Sequence, residues 1–133
     1  MIVGNPDLLR DLQTVILMVA KDFDAFCSRE GITYYLMGGT ALGAMRHGGF
    51  IPWDDDFDVF MDAANYRRFL AAADRLDANK YYLQREDTAE WPLFFSKLRL
   101  NDTRLVEHDN HGRAMHEGIY IDIMCLNGAA RFV

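Results

Sequence analysis

The chain has 133 residues, a length that suits one domain built around one hydrophobic core. Half of its residues are apolar, 13% are aromatic and 26% are charged, which excludes a disordered or collagen-like chain. The net charge of −6 weighs against non-specific contacts with nucleic-acid phosphates, so no nucleic-acid partner is expected. No apolar stretch is long enough to predict a transmembrane segment, and no signal peptide is expected at the N-terminus.

The two cysteines, Cys27 and Cys125, are not part of a CxxC pair. Cys27 falls on the apolar stripe of a predicted helix and Cys125 in a predicted apolar strand, so we expect two buried free thiols. Free thiols are typical of a reducing compartment. The expected location is therefore the cytoplasm, either free or peripheral at the inner face of the membrane.

The first predicted element is a long amphipathic helix. Asn5-Pro6-Asp7 provides an N-cap, a proline at the first helical position and an acid in the first turn. Apolar residues then recur at steps of three and four, and Gly31 stands where the helix should end. The predicted stripe consists of Leu8, Leu12, Val15, Val19, Phe23 and Phe26.

The middle of the chain predicts a strand over Thr33–Met37, a short helix over Thr40–His47 and a second strand over Asp56–Met61. The pair Gly38-Gly39 marks a turn between the first strand and the short helix. Asp62 then caps a second long helix. Its predicted buried stripe consists of Tyr66, Phe69, Leu70, Ala73 and Leu76.

The remaining elements are strands. Tyr81–Gln84 is a short one, Leu93–Leu100 and Arg104–Glu107 predict a hairpin around Asn101-Asp102, and Ile119–Leu126 is the most β-like run of the chain. Long helices combined with adjacent and separated strands predict an α/β fold with a mixed sheet.

Three acids are candidate catalytic and metal-binding residues. In a strand, Asp56 and Asp58 point to the same side with Cα atoms about 7 Å apart. Carboxylates on a rigid strand suit Mg²⁺, which binds one or two of them together with substrate phosphates. A solvated acidic turn is the alternative, and Asp54 and Asp55 are interpreted as turn residues. Asp122 lies inside an apolar strand, where an unpaired charge is costly, so it is a third ligand, a general base, or the partner of a lysine or arginine.

Gly38, Gly39 and Thr40 stand between a strand and a helix, where glycines and free N–H groups favour phosphate binding, although a plain turn is the alternative. Arg46 and His47 follow on the same helix and are candidates to neutralise phosphate or to protonate a leaving group. For His47 the alternative is a residue favoured at the end of a helix by the helix dipole.

Other residues give weaker signals. Lys97 and Arg99 share one face of a strand, and a solvated sheet edge is favoured for them over a phosphate site. Trp53, beside the acids, is a candidate border of a substrate pocket. Several histidines and acids resemble metal ligands only by composition, and a polar loop is the preferred interpretation for them. They are Glu107, His108, Asp109, His111 and His116.

Residues 38–58, GGTALGAMRHGGFIPWDDDFD, closely resemble the signature of the LicD/fukutin family, GGTLLGAxRHxGFIPWDDDxD. Phe95–Arg99 is similar to the FxKLR-like strand of that family, and Gly118–Ile123 to its GIxIDIF strand. Cys27–Tyr35 and Asp62–Phe69 extend the resemblance over most of the chain. A departure follows Asp122, where Ile123-Met124-Cys125-Leu126-Asn127 stands in place of IFPLD.

The resemblance implies an α+β, nucleotidyltransferase-like (polymerase-β-like) fold with a mixed sheet and flanking helices. It implies one domain over residues 1–133 that is incomplete at its C-terminus, because members of the family continue further. It also implies transfer of a phosphorylated alcohol, such as phosphocholine or ribitol phosphate, from a CDP-linked donor. The implied acceptor is a glycan or a teichoic-acid-like cell-surface polymer.

The same resemblance assigns roles to the candidate residues. The acids would hold Mg²⁺, or alternatively Mn²⁺, and help to activate the acceptor hydroxyl: Asp56, Asp58 and Asp122. The donor phosphates would bind at Gly38, Gly39 and Thr40, with Arg46, His47 and Lys97 as further candidate contacts. Two alternatives stay open: a non-catalytic remnant that binds nucleotide or metal, and a nucleotidyltransferase-fold enzyme that modifies a nucleotide, a protein or RNA.

Overall fold

A computed structural model describes residues 5–85, 95–106 and 115–126 of the chain. This part of the molecule has three helices and five strands: the first two strands alternate with the helices, and the last three strands follow the third helix and a short 3₁₀ turn, Ala73–Arg75. The helices are α1 (Pro6–Glu30), α2 (Gly38–Arg46) and α3 (Ala63–Ala72). The strands are β1 (Tyr35–Leu36), β2 (Asp58–Asp62), β3 (Tyr81–Gln84), β4 (Phe95–Leu100) and β5 (Tyr120–Leu126).

The strands form one mixed sheet in the order β1-β2-β5-β4-β3. β2 and β5 are parallel, whereas the other neighbouring strands are antiparallel. The predicted α/β fold with a mixed sheet and flanking helices is therefore confirmed. The parallel pair aligns Asp58 with Asp122, and the neighbouring pair aligns Asp122 with Lys97. Residues far apart in sequence thus lie in one row across three central strands.

Helix α1 has the predicted ends. The Asn5 side chain accepts hydrogen bonds from the backbone N–H groups of Asp7 and Leu8, each 3.1 Å long. Gly31 ends the helix in the left-handed conformation, with φ of 70°. The predicted stripe is partly wrong, because Leu8 is 50% exposed. The buried stripe follows regular alternating steps of three and four: Leu9, Leu12, Ile16, Val19, Phe23 and Phe26.

The segment around the glycines differs from its prediction in two respects. α2 begins at Gly38, so the two glycines belong to its first turn and do not form a separate turn before it. β2 begins only at Asp58, so Asp56 precedes the strand. The side-chain hydroxyl of Thr40 accepts a hydrogen bond from the Asp58 N–H, 2.9 Å long. The N–H of the first residue of β2 is therefore bonded to a side chain of α2 and not to a neighbouring strand.

One face of the sheet packs against α1 and α3. Its central side chains are completely buried, and Phe23 and Phe69 of the two helices meet there with ring centroids 5.7 Å apart. Cys27 is a buried free thiol as predicted, whereas the free thiol of Cys125 is half-buried. The buried apolar residues contributed by the strands are Val59, Met61, Leu98, Ile121 and Ile123. Because side chains alternate along a strand, Asp58, Lys97, Arg99 and Asp122 lie on the other face.

The later elements confirm the capping prediction and correct the hairpin. Asp62 accepts a hydrogen bond from the N–H of Asn65, 2.8 Å long, and so caps α3 as predicted. The predicted pairing of β4 with Arg104–Glu107 is wrong for its described part, since β5 lies beside β4 instead. Residue 107 lies outside the described part of the chain. In residues 5–85, 95–106 and 115–126 no helix has the length and hydrophobicity needed to cross a membrane.

Candidate active site

The first turn of α2 lies against the acidic run. The N–H of Met37 donates a 3.0 Å hydrogen bond to the carbonyl of Asp58, and the hydroxyl of Thr40 accepts a hydrogen bond from the N–H of Asp58. A Cβ atom on Gly39 would lie 2.9 Å from Oδ2 of Asp54, too close for an unmoved carboxylate. The absence of a side chain at Gly39 therefore lets the acidic run approach the start of the helix. The first turn of α2 and the acidic run therefore lie side by side at Gly39 and Asp54.

A buried glutamine holds the loop that carries the acids. Gln13 of α1 is 3% exposed, and its Nε2 atom donates to the carbonyl of Asp54 over 2.8 Å. The same atom lies 3.3 Å from the carbonyl of Ile51 and 3.4 Å from that of Pro52. Sequence reasoning missed this residue. The available signal was a polar amide next to Leu12 on the buried side of α1, where a buried polar group must find a partner.

Asp54, Asp55 and Asp56 form a tight cluster. Each residue is half-buried, and each offers a carboxylate oxygen that lies within 4.8 Å of those of the other two. Burial raises the pKa of Asp56 to about 7, assisted by its hydrogen bond to Asp54 and by the neighbouring negative charges. The interpretation of Asp54 and Asp55 as solvated turn residues missed this convergence, because only the folded loop turns the three side chains together.

Asp58 and Asp122 form a second acidic pair, on β2 and β5. They are direct neighbours in the parallel register. Burial raises the pKa of Asp58 to about 7, and the adjacent Asp122 adds to the shift. The Oδ1 atom of Asp58 is buried and has no hydrogen-bond partner in the described part of the chain. A buried carboxylate oxygen in this state is costly unless the group holds a proton or binds a cation.

Lys97 pairs directly with Asp122. Its Nζ atom lies 2.7 Å from Oδ1 of Asp122, and the two side chains are only 5% and 13% exposed. The same Nζ atom lies 3.4 Å from the ring centroid of Tyr120 and 5.2 Å from that of Phe95. The basic partner considered for Asp122 is therefore present, and it is the lysine that was also considered as a phosphate contact.

The favoured placement of Lys97 and Arg99 on a solvated edge is wrong. β4 lies between two other strands, and Arg99 is 1% exposed. The Arg99 guanidinium donates to Oε1 of Gln84 over 2.8 Å and to the carbonyl of Gly118 over 2.7 Å. The spacing of two long basic side chains by two residues predicted a solvent-exposed sheet edge. Whether a strand lies at the edge depends on the order of the strands in the sheet, which that spacing does not reveal.

The remaining candidates lie further from the acids. Arg46 and His47 are exposed at the end of α2, separated from Gly39 by most of the helix. The ring of His47 nevertheless meets that of Trp53, 71% exposed, with centroids 6.3 Å apart, immediately before the acidic run. The nitrogens of His116 lie within hydrogen-bond distance of Asn101 and of the Gly118 N–H, in agreement with a polar loop. Glu107, His108, Asp109 and His111 lie outside the described residues.

Two strands, β2 and β5, and the loop before β2 bring five carboxylates to one region beside the amino end of α2. Carboxylate oxygens are the ligands that hard dications prefer, and helix N–H groups attract phosphate. The arrangement is therefore chemically suited to hold a dication together with a phosphorylated ligand. The five acids are Asp54, Asp55, Asp56, Asp58 and Asp122.

Comparison with known proteins identifies relatives over this same region. Residues 31–123 match the family model described as LicD/FKTN/FKRP, nucleotidyltransferase domain. The lipopolysaccharide cholinephosphotransferase LicD of Haemophilus influenzae is 53% identical over 62 residues, which are 47% of this chain and 23% of that protein. The ribitol 5-phosphate transferase FKRP of Homo sapiens is 59% identical over 54 residues, 41% of this chain and 10% of that protein.

A more distant relative matches over more of the chain. Mannosyltransferase regulator 4 of Saccharomyces cerevisiae is 25% identical over 122 residues, which are 86% of this chain and 10% of that protein. The chain thus corresponds to less than a quarter of the length of each of these relatives.

Proposed function

The chain belongs to the LicD/FKTN/FKRP family, as its sequence motifs predicted, and from this premise we propose that it transfers a phosphorylated alcohol to a glycan. In detail, we propose a CDP-linked donor, dependence on Mg²⁺ or Mn²⁺, and a hydroxyl of a glycan or teichoic-acid-like cell-surface polymer as the acceptor. The similarity to LicD, a cholinephosphotransferase, and to FKRP, a ribitol 5-phosphate transferase, supports the general reaction. The observation that carries the proposal is the convergence of the acids at the amino end of α2.

The first turn of α2 is the proposed site for the donor phosphates. The N–H groups at the start of a helix have no partner within the helix, and the helix dipole adds positive potential there. Gly38 and Gly39 leave this end free of side chains, and Thr40 is fixed by its bond to Asp58. The backbone N–H groups of Gly38, Gly39 and Thr40 would therefore donate to phosphate oxygens. Arg46 and His47 stay predicted phosphate contacts, since a bound donor would have to extend along α2 to reach them.

The acids beside this turn fit a dication. The orphaned Oδ1 atom of Asp58 and the carboxyl of Asp56, whose pKa is raised to about 7, both gain from a bound cation. Asp56, Asp58 and Asp122 are the proposed ligands, and the cluster geometry adds Asp54 as a candidate. When bound, the metal ion supplies positive charge that stabilises the reacting phosphate oxygens.

Asp122 has a second proposed role, as the base that takes the proton of the acceptor hydroxyl. Its Oδ1 atom is held by Lys97 at 2.7 Å, so the carboxylate is fixed in orientation and its Oδ2 atom is the proposed proton acceptor. Lys97 thereby acts through Asp122 as a positioning residue. A direct contact of Lys97 with phosphate stays a prediction, and it would require the amino group to contact Asp122 and the donor together.

The experiment that tests the proposal measures CMP release from CDP-choline and CDP-ribitol by the full chain, with and without Mg²⁺ and a glycan acceptor. We expect Mg²⁺-dependent release that Asp58→Asn reduces at least a hundredfold, while Asp11→Asn, which removes an exposed acid of α1, leaves it unchanged. Binding of CDP-choline and Mg²⁺ without CMP release would support the non-catalytic alternative. Turnover of nucleoside triphosphates with no turnover of CDP-alcohols would support the other nucleotidyltransferase-fold alternative. Either result would overturn the proposal.

A further inference from the structure

Tyr120 of β5 lies directly against the lysine that holds Asp122. Its ring centroid is 3.4 Å from Nζ of Lys97, closer than that of Phe95, which is 5.2 Å away. The same Nζ atom donates the 2.7 Å hydrogen bond to Asp122. The ammonium group therefore has an aromatic face and a carboxylate as neighbours at the same time. The donor and metal chemistry proposed above gives no role to Tyr120.

The register of the sheet places these groups together. Tyr120 and Asp122 are two residues apart on β5, so both side chains point to the face away from α1 and α3. Lys97 is aligned with Asp122 across the β4–β5 pair, and Tyr120 is its diagonal neighbour, within reach of a long side chain. Arg99 is aligned with Tyr120 itself, and its guanidinium carbon lies 4.9 Å from the ring centroid. One ring thus contacts both buried cations of β4.

An aromatic ring restricts the lysine without competing for its hydrogen bonds. The face of the ring attracts a cation, but it offers no carboxylate or carbonyl oxygen that would draw the N–H groups away from Asp122. The Lys97 side chain is only 5% exposed, so water screens this attraction little. A lysine ammonium is a point charge on a flexible stem, so its neighbours decide where the charge lies.

The position of this charge matters because a second acid is close by. Asp58 is aligned with Asp122 on the side of β5 that faces away from Lys97. A lysine that leaned across Asp122 would bring its charge towards Asp58, where the dication is proposed to bind, and two cations repel each other. Such a movement gives up the ring face of Tyr120. The ring contact therefore favours the arrangement in which the ammonium stays at Oδ1 of Asp122.

Resting on the proposed role of Asp122 as a base, we propose that Tyr120 is a positioning residue for the transfer reaction. Its ring holds the Lys97 ammonium on Oδ1 of Asp122 and thereby fixes that carboxylate for the acceptor hydroxyl. Tyr120 acts through Lys97 and not on the substrate.

The test follows the lysine directly, by NMR of the full chain labelled in its lysines, without donor or metal. The chain has three lysines, Lys21, Lys80 and Lys97, so the side-chain signals are few, and Lys97→Arg identifies those of Lys97. An aromatic face 3.4 Å from Nζ shifts the neighbouring Hε signals upfield. Exchange of the ammonium protons with water reports how often the hydrogen bond to Asp122 opens.

Two variants at Tyr120 separate the ring from the residue: Tyr120→Leu removes the ring and Tyr120→Phe keeps it. Phe60→Leu is the matched control. Phe60 lies on the same face of the sheet, two residues from Asp58, and its ring stacks on that of Tyr35 with centroids 5.3 Å apart. The control therefore removes an aromatic ring at an equivalent distance along the chain from a candidate acid.

We expect the Lys97 Hε signals of the parent chain clearly upfield of those of the exposed Lys21. Tyr120→Leu should accelerate exchange of the Lys97 ammonium protons at least tenfold and lower kcat for CMP release at least tenfold. The KM for CDP-choline should change less than twofold, because donor binding does not involve the ring. Tyr120→Phe and Phe60→Leu should change each quantity less than threefold.

Parent Lys97 signals at the position of Lys21, or equal effects of Tyr120→Leu and Tyr120→Phe, would overturn the inference. The first of these outcomes needs no variant, so it decides the matter even if Tyr120→Leu does not fold. The proposed function fails separately. Slow exchange that only Tyr120→Leu accelerates, in a protein that releases no CMP, would refute the transfer reaction and keep the placement of Lys97 by Tyr120. CMP release by Tyr120→Leu at the parent rate would do the reverse.

Discussion

Replacing Asp58 by asparagine should stabilise the metal-free protein while it removes metal binding. Asp58 has a folded-state pKa of about 7 against an ordinary value of 3.8, because its carboxyl is buried beside Asp122. Over the pH range between these values the folded protein keeps a proton that the unfolded chain has lost. The free energy of unfolding therefore falls as the pH rises from about 4 to about 7, and stays low above it.

The size of the effect follows from the shift. About three pKa units correspond to roughly 4 kcal/mol, and partial solvation of the carboxyl reduces this to about 2 kcal/mol. Asparagine carries no charge, so Asp58→Asn should raise the free energy of unfolding by about 2 kcal/mol at pH 8. At pH 5 the native carboxyl is protonated, and the gain should fall below about 1 kcal/mol.

The assay is urea unfolding followed by circular dichroism at pH 5 and pH 8, in the presence of a chelator. Asp11→Asn serves as control and should change stability by less than about 0.5 kcal/mol at either pH. Adding Mg²⁺ at pH 8 should stabilise the parent chain and leave Asp58→Asn unaffected, since only the former binds the ion. A loss of stability in metal-free Asp58→Asn at pH 8 would refute the reasoning that burial, together with the neighbouring Asp122, disfavours the ionised carboxylate.

Three further predictions concern the same region. Lys97→Met leaves the buried Asp122 without its cation and should lower the free energy of unfolding, measured in urea, by about 3 kcal/mol. Lys97→Arg keeps a cation there and should recover at least half of that loss. Equal losses in the two variants would contradict the pairing of Lys97 with Asp122. Gly39→Ala puts a methyl group 2.9 Å from Oδ2 of Asp54 and should reduce CMP release at least tenfold. Gly49→Ala is the control and should not reduce it, because its methyl group meets no atom within 4 Å. Similar activities of the two variants would show that the close approach of Gly39 and Asp54 is unimportant. Mg²⁺ affinity should rise between pH 6 and pH 8 with release of protons, because carboxyls with pKa values of about 7 must ionise to bind the ion. Calorimetry in buffers of different ionisation enthalpy measures this proton release. An affinity that does not change with pH would exclude Asp56 and Asp58 as ligands.

Local signals in the sequence were sufficient for the elements with strong patterns. Asn5-Pro6 and Gly31 mark the ends of α1 because capping depends on the neighbouring backbone only, and Asp62 caps α3 for the same reason. The start of β2 was predicted two residues early, because the alternation of Asp56-Phe57-Asp58 continues the strand pattern. At the first residue of β2 the Asp58 N–H binds the Thr40 hydroxyl, a contact between residues 18 positions apart that no local pattern indicates.

The sequence indicated candidate site residues, whereas their contacts depend on the folded structure. The glycine turn and the acids were recognised together from their motif, and the structure brings them into contact at Gly39 and Asp54. A lysine or arginine partner for Asp122 was one of several alternatives, and its identity as Lys97 depends on β4 and β5 being neighbours. Gln13 was missed because its partners are backbone carbonyls 38 to 41 residues away, which no local pattern indicates.

A crystal of the chain soaked with Mn²⁺ and CDP-choline would show whether these acids hold a dication next to the first turn of α2. Anomalous scattering locates the manganese without reference to any assumed site. We expect an anomalous peak within about 2.5 Å of the Asp56 and Asp58 carboxylate oxygens, with the diphosphate at Gly38–Thr40. Manganese bound elsewhere, or a diphosphate away from this turn, would contradict it.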